Sequence, residues 1–117
     1  MTHRRILISF ERGQVTAELM DNEATRALVR MLPVTIEMRD HLRQEKTGHL
    51  PSPLPEVQRQ TDFSAGTLGL WGNDDFVIYY RNGRVPAPGI IVLGRVVGGV
   101  AIFDRSGPAT VRIERAD

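Results

Sequence analysis

The chain has 117 residues, 41% of them hydrophobic and 25% charged, with a formal net charge of +1. That make-up is of a globular domain that buries roughly two-thirds of its unfolded surface and needs no metal or disulfide to fold. The absence of cysteine excludes disulfide frameworks, thiolate nucleophiles and Cys-based zinc sites, and the balanced charge argues against nucleic acid as a partner.

At the N-terminus, the apolar run ending at Phe10 is too short for a signal core or a membrane span. A cytoplasmic protein without a membrane partner is expected. Alternation of Ile6, Ile8 and Phe10, a turn at Glu11-Arg12-Gly13, and alternation of Val15, Ala17 and Leu19 predict a hairpin. Asp21 or Asn22 can cap a helix in which Ala24, Ala27, Leu28 and Met31 recur at helical spacing, and Pro33 stops it. Val34, Ile36 and Met38 then point inward from a strand whose other face carries Thr35, Glu37 and Arg39.

The polar segment from Asp40 to Gly66, with Pro51, Pro53 and Pro55, reads as long loops carrying at most one short strand. Within it, "HLPSPLP" is a semi-rigid polyproline stretch suited to a lid or a docking segment. "TLGLW" and "DFVIYYR" predict two strands joined at Gly72-Asn73. A buried strand opens "IIVLGRVVGGVAIFDR", which ends in a short helix broken by Ser106-Gly107-Pro108, and "ATVRIERAD" closes the chain as a strand. The sum is a mostly β domain spanning 1–117, with six to eight strands and two short helices.

Two stretches resemble cyclophilins. "GQVTAELMDNEATRALVRML" is similar to their opening strand and first capping helix through Gly13, Glu18 and Leu19. "IVLGRVVGGVAIFDR" is similar to the segment entering their second helix through Gly94, Val96 and Gly99. Leu32-Pro33, the span Gly66 to Gly72, and Leu93-Gly94-Arg95 with Gly99 bring the chain closest to the compact bacterial and archaeal cyclophilin-like proteins, which mostly lack an assigned function. The resemblance implies a closed β-barrel of about eight strands, capped by two short helices. It also raises peptidyl-prolyl isomerisation, a reaction opposed by a barrier of about 20 kcal/mol.

The family's usual isomerase motifs are missing: a Phe-His-Arg strand, a Gln-Gly-Gly-Asp-Phe loop and a Trp-Leu-x-x-x-His wall. Arg39 is the catalytic candidate by position alone, on the outward face where the family's site lies. The only Trp and both Tyr fall within ten positions, at Trp71, Tyr79 and Tyr80. Along "DFVIYYR" one tyrosine packs inward and its neighbour faces away. Two readings stay open for these aromatics, barrel packing or a binding wall. His41 and His49, near Asp40 and Glu45, contain the residue types of a two-His-one-carboxylate site, but the spacing fits no motif. Exposed loop histidines are the plainer reading, and neither a metal nor a cofactor is expected. Asp74-Asp75 lacks the pattern of a calcium loop, and "GRVVGGV" that of a phosphate cradle.

The reading is a barrel that binds a small molecule or a proline-containing peptide through Arg39, His41, His49, Trp71 and Tyr79. The alternative is a remodelled prolyl isomerase using Arg39. A homo-oligomer that buries the aromatic wall is a third reading.

Overall fold

The computed structural model describes residues 4–116. Its elements in chain order are β1 (Arg4–Phe10), β2 (Gly13–Leu19), α1 (Glu23–Arg30), β3 (Val34–His41), β4 (Glu45–His49), β5 (Arg59–Gln60), β6 (Asp62–Phe63), β7 (Thr67–Trp71), β8 (Asp75–Tyr79), β9 (Gly83–Arg84), β10 (Ile90–Val96), a 3-10 turn (Val100–Phe103) and β11 (Ala109–Arg115). Eight strands pair antiparallel in the order β2-β1-β11-β3-β4-β8-β7-β10, and β10 pairs back onto β2. The sheet is therefore a closed barrel with no free edge among these eight. β5 adds to β10 outside it, and β6 with β9 forms a small ribbon.

The period-two runs fill the barrel. Ile6 and Ile8, Val15 and Ala17, Ile36 and Met38, and Val111 and Ile113 all point inward and are almost fully buried. Asn22 caps α1, accepting from the Thr25 N–H at 2.9 Å while the Thr25 hydroxyl oxygen accepts from the Asn22 N–H at 3.1 Å. Ala24 and Leu28 then press the helix into one end of the barrel. At the other end, Phe103 stacks on Phe10 with ring centroids 4.8 Å apart. The second cap is thus a single 3-10 turn where the sequence predicts a short helix; Gly99, at positive φ, opens it and no side chain caps it.

The segment expected as loops with at most one short strand holds β4, β5 and β6, and of these β4 is a full strand of the barrel that the sequence does not announce. In β4 both faces are covered and the side chains are polar, so Glu45, Lys46 and Thr47 are buried without any hydrophobic alternation. Lys46 points inward and is 2% exposed. Its Nζ donates to Asp40 Oδ1 at 3.0 Å, to the Gly107 carbonyl at 3.0 Å, and to the Arg105 carbonyl. Three donors meet three acceptors, a fit that a compact ammonium makes and a planar guanidinium does not. Arg43 and Arg81 both hold Asp104, at 3.0 and 3.1 Å, and so tie the same end shut.

The proline-rich segment is no lid. Leu50 and Leu54 are buried in the core, and their N–H groups donate to the carbonyls of Asp74 and Asn73, each at 2.7 Å. The stretch is stitched to the β7–β8 turn. Among the described residues, no helix is long and apolar enough to cross a membrane.

Closure rests on Gly94, where a Cβ would lie 2.2 Å from the Glu18 carbonyl oxygen and 2.9 Å from Leu19 Cα. Both obstacles are backbone of the partner strand, so neither can rotate away. Gly94→Ala is expected to cost about 3 kcal/mol in urea unfolding, while Val97→Ala, at an exposed position beyond the seam, stays within about 0.5 kcal/mol.

Candidate functional site

Barrel closure leaves one broad face of β3, β4, β8 and β7 turned outward, and the strand registers arrange its side chains in three rows. Arg39 faces Thr47, Thr47 faces Val77, and Val77 faces Gly69. On one side of this row lie His41, Glu45 and Tyr79, and on the other His49, Asp75 and Trp71. A cleft of about 270 Å³ opens here. Glu45, Thr47, Asp75 and Tyr79 line it, with Arg39 and Trp71 beside them, and residues 84–86 and the β3–β4 turn complete its walls.

The two tyrosines separate as the alternation of β8 requires. Tyr80 turns to the barrel end, where its hydroxyl donates to Asp40 Oδ1 at 2.5 Å and accepts from Arg43 at 2.8 Å. Burial and the Asp40 carboxylate push its pKa up to about 12, against the pull of Arg43. Burial alone would raise the Asp40 carboxyl, but the Tyr80 hydroxyl and the Lys46 ammonium hold it below the usual range.

Tyr79 faces away from the barrel core yet is only 1% exposed. Phe63 stacks on it with ring centroids 3.8 Å apart, and Val77 and Ile90 complete a second apolar cluster. Gly69 provides the room: a Cβ there would stand 3.2 Å from Tyr79 Cε2 and 3.1 Å from Ile90 Cδ1. Burial, with Glu45 and Asp75 adding, raises the Tyr79 phenol well above its ordinary value. Trp71, at the end of β7, keeps 39% of its surface exposed. Arg59 fastens the turn behind it by donating to the carbonyls of Gly72 at 2.8 Å and Gly89 at 3.1 Å.

Arg39, His41, Trp71 and Tyr79 therefore share one cleft. His49 does not line it; its ring turns to Asp74, with Nδ1 3.4 Å from Oδ1. His41 and His49 also stand at opposite ends of β4, since His41 is in register with Glu45. Four strand residues separate them by roughly 13 Å, too far to share one ion. Among the described residues, no three His, Asp or Glu side chains converge as metal ligands.

The groups that sequence reasoning did not place here are Glu45, Thr47 and Asp75. Thr47 Oγ1 donates to Asp75 Oδ1 at 2.5 Å, and Gln44 Nε2 donates to Glu45 Oε1 at 2.8 Å. Glu45 is 7% exposed. Burial pushes its carboxyl above the usual range, Asp75 and Asp40 add to the rise, and Gln44 and His41 oppose it. A folded-state pKa raised above the unfolded value means that the native protein binds the extra proton. Stability is then lost as pH rises through that window. Glu45→Gln keeps the shape and the Gln44 contact without the charge. It is expected to match wild type at acid pH and to gain about 1 kcal/mol at neutral pH, read by thermal melts across the range.

The model of the cyclophilin-like family matches residues 8–114. In structure, the chain is similar to a hypothetical protein of Archaeoglobus fulgidus, with 20% identity, a TM-score of 0.78, and 97% of this chain and 95% of that one covered. It is also similar to a cyclophilin-type peptidyl-prolyl cis-trans isomerase of Cryptosporidium parvum, with 12% identity, a TM-score of 0.66 and 99% of both chains covered. At these identities the likeness is one of fold. No protein of curated function matches the sequence. A family match over nearly the whole length, on a closed eight-stranded barrel, makes the chain a member of the cyclophilin-like family.

Proposed function

We propose that this barrel is a binding module whose outer-face cleft receives a small molecule or a short peptide beside Trp71. One observation carries the reading: the chain's only tryptophan, 39% exposed, stands on a cleft of about 270 Å³ that also holds buried polar groups. An exposed indole next to convergent polar side chains is how small-ligand sites combine contact area with orientation. The rest of the face is built to hold the cleft's shape. Tyr79 is pinned between Phe63 and Gly69, and Arg59 braces the turn after Trp71.

The isomerase reading draws on Arg39 and on the likeness in fold to the Cryptosporidium parvum enzyme. Arg39 is exposed on the cleft, and among the described residues no ion pair engages its guanidinium. Against this stands the lining. A proline ring needs an apolar well free of charge, and here the cleft that carries Leu42, Trp71, Val85 and Pro86 also holds the carboxyls of Glu45 and Asp75, with Thr47 directly across from Arg39. Binding is the better supported of the two.

The test is an NMR screen of the labelled protein against a fragment library and a panel of short X-Pro peptides. Library members are expected to shift the Trp71 indole resonance together with the amides of Thr47 and Tyr79. Cis-trans exchange in the peptides is expected to be unchanged by wild type and by Arg39→Ala. Acceleration by wild type that Arg39→Ala abolishes would install the isomerase reading instead, and a library that leaves Trp71 unmoved would remove the binding reading.

A further inference from the structure

The cleft is not electrically uniform, and its pattern names a class of ligand. The following rests on the binding reading above. Two carboxylates, Glu45 and Asp75, reach the same hollow from adjacent strands. Each has one oxygen engaged, Glu45 Oε1 by Gln44 and Asp75 Oδ1 by Thr47. Among the described residues, the remaining oxygen of each makes no hydrogen bond to the protein. Carboxylates alone would be a weak argument, since acidic groups cluster for many reasons.

Tyr79 supplies the second, independent observation. Its side chain is 1% exposed, yet among the described residues its hydroxyl has no hydrogen-bond partner. Among the described residues, no fully enclosed side-chain nitrogen or oxygen lacks a partner. The hydroxyl must therefore reach open space, and the cleft that Tyr79 lines is the space available. A buried phenol with a free lone pair and an unplaced O–H, beside two half-engaged carboxylates, leaves the acceptors in excess and a donor wanting. A cationic nitrogen carries the donors, and its charge relieves the repulsion between Glu45 and Asp75. The exposed face of Trp71 adds a surface that suits a cation or an aromatic skeleton.

The other side of the cleft has the opposite sign. Arg39 stands across from Thr47, on the same face, and among the described residues its guanidinium is in no ion pair. Arg84 stands on the same cleft but is paired to Asp62 at 3.0 Å. A ligand carrying only positive charge would meet Arg39, Arg84 and His41. One carrying only negative charge would meet Glu45 and Asp75. We infer that the cleft takes a small zwitterion of amino-acid size, with its cationic nitrogen on Glu45 and the Tyr79 hydroxyl, whose residues stand in register on β4 and β8, within the field of Asp75, and its anionic group on Arg39.

The probes are 4-(aminomethyl)benzoate, benzylamine and benzoate, titrated into the full chain at neutral pH and matched ionic strength. Trp71 fluorescence and the amides of Thr47 and Tyr79 are the readouts. The dipolar compound is expected to bind about tenfold more tightly than either singly charged one. Glu45→Gln should erase the advantage over benzoate, and Arg39→Ala the advantage over benzylamine. Equal binding of all three, or a singly charged probe that binds as tightly as the dipolar one, overturns the inference. So does a Glu45→Gln protein that is folded by its amide spectrum and binds the dipolar compound like wild type. If none of the three binds while neutral library fragments still move Trp71, the zwitterion assignment falls and the binding reading survives. If nothing moves Trp71, both fall.

Discussion

The molecule depends on one close approach of backbone to backbone. Where β10 meets β2, Gly94 lies so near the Glu18 carbonyl that no side chain fits between the strands. That contact turns a strip of eight strands into a barrel, and the barrel decides everything placed on it. With the inside filled by Ile, Leu, Val, Met and Phe, a side chain of the wall either joins that packing or faces out. A register slip of one residue would exchange the two sets. The closed seam, which fixes the register all round, is therefore also what assembles Arg39, Glu45, Tyr79 and Trp71 on one side.

β4 shows what the barrel does with charge. Adjacent residues, Glu45 and Lys46, are both withdrawn from water on opposite faces of one strand, and their surroundings treat them differently. Lys46 is satisfied by Asp40 and two carbonyls, so its burial costs little and closes one end of the barrel. Glu45 receives one amide donor and the company of a second carboxylate. A charge fully answered by its own protein is a structural part. One left half-answered beside a cavity is where proteins give up stability for a task.

Much of this was legible in the residues. The hairpin, α1, β3, β7, β8, β10 and β11 all announce themselves through apolar spacing, because each buries one face against a common core. Arg39, Trp71 and Tyr79 could be picked out by parity along their strands and by the crowding of aromatics. β4 could not, because a strand buried on both sides by polar contacts carries no hydrophobic period. Losing β4 meant losing the register that brings Glu45 next to Tyr79 and Thr47 next to Arg39. The sequence places His49 at the site for the same reason. In a loop it could have reached the cleft, whereas at the end of a paired strand its ring turns to Asp74. The short helix expected after β10 is present as a 3-10 turn opened by Gly99, a local difference that leaves the barrel intact.

Lys46 has a consequence for the chemist at the bench. It is the only lysine among 117 residues, and its amine is sealed by three acceptors at the barrel end. The remaining basic side chains are guanidinium and imidazole groups, which acylating reagents selective for primary amines leave alone. The folded protein thus shields its single side-chain amine behind the same contacts that hold residues 104–107 in place. Acylation at Lys46 proceeds only as fast as that end of the barrel opens, so the native chain carries a covalent clock for its own local unfolding.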